Sequence, residues 1–212
     1  RQLRYPRSGS KVLLSLFVIY SQRINIFVFV EPNTRTMTFQ NLPIGIQSFE
    51  KIRKDGYLYV DKTALVYKLV DTGSYYFLSR PRRFGKSLLL STLHAYFEGK
   101  RELFEGLAIS KQEQKWEKYP VLHLDLNTQK YETPEALENI LDNALGQWED
   151  LYGARESERS LSLRFLGVIQ RACEHTGRRV VILIDEYDKP MLQAIGNEAL
   201  QDAYRGTLKA FY

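Results

Sequence analysis

One cysteine, three histidines and two methionines in 212 residues exclude several kinds of chemistry at once. A lone Cys173 permits no disulfide framework and no cysteine-rich metal site. It reads as a small buried or half-buried side chain on a helix, and the chain as a protein of a reducing, cytoplasmic compartment. His94, His123 and His175 lack metal-ligand spacing and read as structural or surface residues. There is no paired-cysteine motif, no serine-histidine-aspartate set, no repeat and no low-complexity stretch.

Most of the chain also lacks net charge. The formal +5 comes from residues 1–37, which hold six of the thirty basic residues and one of the twenty-five acids, so residues 38–212 hold twenty-four of each. Composition therefore gives no nucleic-acid signal over residues 38–212. Nor is there an uninterrupted membrane-length apolar run. Residues 12–20 and 24–30 are apolar but separated by Ser21, Gln22 and Arg23, and a central arginine opposes a span of about twenty residues. A secretory signal would need small residues at a cleavage site after Tyr20, which are missing. Met37 stands just ahead of the first patterned block. Residues 1–37 are accordingly read as a basic, apolar leader outside the fold, with residues 1–36 upstream sequence and a membrane anchor as the alternative.

What is present is 44% apolar and 13% aromatic, enough for one core. The pattern predicts short helices over residues 47–54 and 62–70, a first strand over 75–79 and a helix over 86–97. A second strand follows over 121–126, then helices over 134–151 and 161–175, a third strand over 179–184 and a helix from 199 onward. Alternating strands and helices imply a parallel α/β sheet.

Two runs carry chemistry. Residues 75–90 place a short apolar stretch before a basic loop ending in Gly85, Lys86 and Ser87, and then an amphipathic helix. A helix start behind a glycine offers backbone N–H groups to phosphate, with lysine to neutralise charge and serine to ligate Mg²⁺. About a hundred residues on, VVILIDE (residues 180–186) runs five apolar residues into Asp185 and Glu186. Such a run reads as a strand buried on both faces, whose C-terminal end is where parallel sheets place ligands. Asp185 then joins Ser87 at Mg²⁺, and Glu186 polarises an attacking water. The alternative is a buried strand ending in two solvated acids. Together the runs point to ATP or GTP, with Arg82, Arg83, Phe84, Gly85, Lys86, Ser87 and Leu88 around the nucleotide and Lys86 and Glu186 as catalytic groups.

The full phosphate-loop pattern has glycine where this chain has Arg80. Arg80, Arg82 and Arg83 either reach phosphate, in this or a neighbouring subunit, or pair with acids such as Asp188 and Glu186. Asp61 reads as a helix cap, with Asp61 or Lys62 touching nucleotide as the alternative. Asp125 reads either as a solvated strand end or as an outer-shell partner of magnesium.

Four separated runs, LPIGIQ (42–47), GYLYVDKT (56–63), FLSRPRRFGKSL (77–88) and IDEYDKP (184–190), closely resemble the bacterial AAA-ATPase-like family. The resemblance spans residues 41–212. It implies a P-loop NTPase of the AAA and STAND type, a three-layer sandwich with a mostly parallel sheet, that binds ATP and Mg²⁺ and hydrolyses ATP. Arginine at position 80 is the family's usual form, and many members carry a C-terminal PD-(D/E)XK nuclease-like domain. Such sheets commonly have five strands and three are visible, so the chain is read as the N-terminal part of a longer protein. The expected function is an ATPase module that switches an attached domain or partner. The rivals are a nucleotide-binding switch with little turnover and a P-loop kinase acting on a small molecule; the oligomeric state is left open.

Overall fold

The computed structural model of the chain describes residues 40–72, 75–79 and 84–211. Its described elements run in the order α1 (Phe49–Lys54), α2 (Thr63–Thr72), α3 (Lys86–Phe97), two 3-10 turns (Arg101–Phe104 and Ala108–Lys111), β1 (Val121–Asp125), α4 (Pro134–Tyr152), α5 (Leu161–Thr176), β2 (Val181–Asp185), α6 (Lys189–Gln193) and α7 (Glu198–Phe211). Several boundaries follow from capping chemistry. The Ser48 and Ser160 hydroxyls accept the N–H groups of Lys51 and Leu163 at the starts of α1 and α5, and Pro134 opens α4, where a missing N–H costs nothing. Gly177 stops α5 in the left-handed conformation.

Strands β1 and β2 pair in parallel, from Val121 opposite Val181 to Asp125 opposite Asp185. Alternation then sorts their side chains into two layers. Leu122 and Leu124, with Leu126 just beyond, pack against α4, α5 and α7, where Leu137, Leu141 and Tyr204 are fully enclosed. Val121, Val181 and Leu183 pack instead against α3 and, behind it, α1, α2 and the 3-10 turns. Helices thus cover both faces of a small parallel sheet, an α/β arrangement.

The expected first strand over residues 75–79 is a correction. This stretch makes no ladder bonds, and Tyr75 and Phe77 are 98% and 68% exposed. A strand needs a neighbour, and among the described residues β1 and β2 pair only with each other. The stretch is held by side chains instead. The Tyr76 hydroxyl donates to Leu69 O at the end of α2 (2.5 Å), and the Phe77 ring meets Tyr187 edge-on at 5.1 Å. The outer edge of β2 is therefore unpaired among the described residues, and Ile182 there is 40% exposed. Cys173, expected buried or half-buried, is exposed, and the short α6 and both 3-10 turns had no periodic signal. The leader lies outside the described residues.

Helix α1 braces α3 through charge. Glu50 binds Lys54 and Lys100; Lys100 also binds Glu98 at 2.8 Å, and Glu98 takes His94 at 3.1 Å. The hydrogen bonds from Lys54 and then Lys100 hold the Glu50 carboxyl down from its ordinary 4.5 to about 2. A depressed folded value means that this brace stabilises fully above the unfolded value and is lost as pH falls toward 2. The stability gap between wild type and Glu50→Gln, an exposed-pair effect below about 1 kcal/mol, is expected to hold from neutral pH to about pH 5 and to close between about pH 4 and pH 2. Urea denaturation across that range checks it.

Candidate functional site

Helix α3 runs opposite to the strands, and its side contacts fix the direction. Tyr119, just ahead of β1, donates its N–H to Phe97 O at 2.7 Å and sets its ring edge-on against Phe97. Two turns from the helix start, His94 lies 5.8 Å ring to ring from His123, halfway along β1. Moving up the strand is thus moving back toward the start of the helix. Lys86 and Ser87 consequently lie toward the end of the ladder that Asp125 and Asp185 close. The Phe77–Tyr187 contact brings the approach to the basic loop to that same end, beside the residue that follows the acids.

Gly85 precedes the helix with φ +75°, and no side chain of the described residues caps its start, so among them nothing neutralises the partial positive charge of the first N–H groups of this twelve-residue helix. A Cβ at Gly85 would meet no atom of the described residues within 4 Å; its positive φ is what calls for glycine. Phe84 is exposed, while Lys86, Ser87 and Leu88 are half-buried. The Leu88 side chain packs into the α3 core, which leaves its backbone as what it can offer a ligand. Arg80, Arg82 and Arg83, with their expected pairing to Asp188 or Glu186, lie outside the described residues.

The acidic end is closely ordered. Asp185 is 9% exposed, its Oδ1 accepts Glu186 N–H at 2.9 Å, and among the described residues no cation pairs with it. Glu186 stands at φ +52°, left-handed backbone that a non-glycine residue adopts at a cost of order 1 kcal/mol. Its carbonyl accepts Lys189 N–H at 2.9 Å. Asp125, exposed on the neighbouring strand, accepts Asn127 N–H at 2.8 Å. The donor set of Ser87 hydroxyl and two carboxylates is all hard oxygen, which fits magnesium. Among the described residues no three histidine, cysteine or acidic side chains close round a metal.

Asp61 is drawn into structure. Its Oδ1 takes the N–H and hydroxyl of Thr63, its Oδ2 takes Ala108 N–H at 2.7 Å, and Thr63 in turn accepts Ile109 N–H. The carboxylate thereby ties α2 to the second 3-10 turn, as a cap should. What the sequence reading missed is Lys189. Its Nζ donates to Asn127 O, Asn127 Oδ1 and Gln129 O at 2.8–3.2 Å, joining the loop after β2 to the loop after β1. It lies four residues past Asp185 in the IDEYDKP run, which drew attention through its acids.

Residues 43–212 match the AAA-ATPase-like family model, described as "Predicted AAA-ATPase". An uncharacterized protein in the vnfD 5′ region of Azotobacter chroococcum mcd 1 is 40% identical over 177 residues, covering 83% of this chain and 34% of that protein. The chain thus spans about a third of the length of that relative. No solved structure matches. Among the described residues, no helix is long and apolar enough to cross a membrane.

If the turn at Glu186 is paid for in backbone strain, glycine should tolerate it. Glu186→Gly is expected to change stability by less than about 1 kcal/mol, since relief of the left-handed conformation offsets glycine's greater unfolded freedom. Glu186→Val should cost roughly 1–2 kcal/mol more, because a β-branched side chain resists this φ. Thermal denaturation of both variants tests this, and equal losses would mean that the glutamate side chain itself holds the turn.

Proposed function

Because the chain belongs to the AAA-ATPase-like family, we propose that it binds Mg·ATP at the start of α3 and hydrolyses it. What supports this reading is the course of α3, which runs back along β1 so that its start lies toward the end of the ladder that Asp185 closes, together with the nearly complete burial of Asp185, which has no cation partner among the described residues.

In this reading the N–H groups from Phe84 to Leu88 receive phosphate oxygens, and Lys86 neutralises charge on the β- and γ-phosphates. Ser87 and Asp185 hold the magnesium, directly or through water. When bound, that ion supplies charge neutralisation at the transferring phosphoryl group. Glu186 orients the attacking water and accepts its proton. The left-handed turn supports this role, since it directs the chain away from the line of β2 immediately after Asp185, and its neighbour's Oδ1 holds the Glu186 amide in place. Arg82 and Arg83 are assigned to the phosphates from sequence alone. The consequence proposed for turnover is a change of state in an attached domain or partner.

A nucleotide-binding switch with little turnover is the rival, and the two part at Glu186. A pure binder requires Lys86, Ser87 and Asp185 but has no use for a second acid aimed at water. Lys86→Ala is therefore expected to lower ATP affinity by at least about tenfold, whereas Glu186→Gln should bind ATP normally while phosphate release slows by about 10²-fold. Calorimetry and a phosphate-release assay on the full-length protein check the pair. Unchanged affinity in a folded Lys86→Ala would end the nucleotide-site reading, and unchanged turnover in Glu186→Gln would favour the switch.

A further inference from the structure

The last rung of the β1–β2 ladder sets two carboxylates side by side. Asp125 and Asp185 are Cα partners in parallel register, so both side chains leave the same face, the one on which Leu183 packs toward α3. Like charges directly opposite each other on neighbouring strands repel, and a divalent cation between them would relieve that repulsion. Asp185 is held by the ladder and by the Glu186 amide. Asp125 is exposed and ends its strand, so its position depends on the loop that follows.

That loop is fastened from the opposite side of the site. Asn127 N–H holds the Asp125 carboxylate at 2.8 Å, and Asn127 is itself gripped at both its carbonyl (3.1 Å) and its side-chain oxygen (2.8 Å) by Lys189 Nζ, which also reaches Gln129 O at 3.2 Å. One turn along α6, Gln193 Oε1 accepts Tyr131 N–H at 2.8 Å, and the Tyr131 hydroxyl returns to Leu126 O at 2.7 Å. The grip thus runs from the segment that follows Asp185 and Glu186 into the segment that follows Asp125. Among the described residues Lys189 forms no ion pair with an acid. Its three hydrogen bonds all go to neutral oxygens of one loop, and its ammonium also lies 5.9 Å from the Tyr131 ring in the same loop, which is what a side chain used to set a loop's position does.

We infer that Lys189 is a positioning residue for the metal seat: by holding Asn127 it keeps the Asp125 carboxylate opposite Asp185, where Asp125 supports the ion through water. The inference rests on the nucleotide-site reading above; it adds Lys189 to that site and chooses, for Asp125, the magnesium side of the two readings its sequence position offered. Lys189 touches neither nucleotide nor metal and acts through Asn127.

The test is an equilibrium titration of Mn²⁺, then Mg²⁺, into the full-length protein with a fluorescent ATP analogue, reading the metal concentration that half-saturates metal-dependent nucleotide binding. Removing an outer partner of a metal site typically costs about tenfold or more in metal affinity. Lys189→Met is expected to raise the midpoint about tenfold and Lys189→Arg to recover part of it, with nucleotide binding in EDTA unchanged. Asp125→Asn should give a similar shift, and the double variant should be no worse than Asp125→Asn alone, because the lysine acts through that carboxylate. Should Lys189→Met be too unstable to assay, Asn127→Ala removes the side-chain oxygen contact, the shortest of the three, while leaving the two backbone carbonyl contacts, and must move the midpoint in the same direction by a smaller factor; an unmoved midpoint in that variant overturns the inference. A lower melting temperature with an unmoved metal midpoint would make Lys189 a structural clamp only and overturn the inference. Full additivity in the double variant would overturn it too. Absence of metal-dependent nucleotide binding in the wild type is a different failure: it removes the nucleotide-site reading, and this inference with it.

Discussion

The register of five residue pairs between β1 and β2 is the constraint on which the rest depends. With Val121 opposite Val181, Leu122 and Leu124 fall into the α4–α5–α7 core, while Val121 and Leu183 meet α3. A slip of one residue would send each set of side chains to the wrong layer, exchanging buried leucines for His123 and Asp125. The same register sets the two aspartates level at the end of the ladder. The apolar alternation that specifies the core therefore also specifies the geometry of the charged end, and neither can be altered alone.

Helix α3 inherits its direction from the other end of the sheet. The ring contacts of Phe97 with Tyr119 and Tyr96 with Trp116, and the α1 charge network through Glu98 and Lys100, all gather at its C-terminal turns. Apolar and aromatic burial there is worth a few kcal/mol. The first turn of the helix carries fewer such ties: Leu88 packs into the α3 core, while Lys86 and Ser87 are half-buried and make no side-chain hydrogen bond or ion pair among the described residues. A helix anchored in this way at its C-terminal end presents its first N–H groups without competition from any side chain of the described residues.

How much of this was legible in the sequence depends on what each feature rests on. Boundaries set by local chemistry were readable: α3 spans the residues its apolar face and the following Gly99 indicated, and α4 and α5 end within one residue of expectation. Val181–Asp185, within the acidic run over residues 180–186, became a strand as its apolar run indicated, but the expected burial on both faces is incomplete: Ile182 is 40% exposed, because β2 pairs on one side only among the described residues. Residues 75–79, an aromatic and apolar run, have no strand partner among the described residues, and no pattern within a segment can supply one. Glu186 shows a different limit. Left-handed backbone at a non-glycine residue is imposed by its surroundings, here the ladder before it and α6 after it. Lys189 was hidden because its partners lie sixty residues away. Gly167 was hidden similarly: it looks like a neutral interruption of α5, yet a Cβ there would fall on the Glu158 carboxylate, which Arg171 holds in place.

These limits fall unevenly on the two halves of the candidate site. On the acidic half, the ladder fixes Asp185, a strained turn redirects the chain at Glu186, and Lys189 and Gln193 pin the neighbouring loop. All of this ordering is complete in the folded chain, so its cost is met during folding and not when a ligand arrives. Electrostatic stabilisation is most effective in such a case, because dipoles and charges already in position need no reorganisation as charge develops. On the basic half, no described side chain caps the start of α3, and in the proposed reading its N–H donors exchange water for phosphate oxygens on binding. The proposed tasks differ in the same way. Phosphate capture would tolerate an adaptable set of N–H donors, whereas holding a metal and aiming a water would demand that the two aspartates and Glu186 keep fixed relative positions, and the described ordering is concentrated on that half.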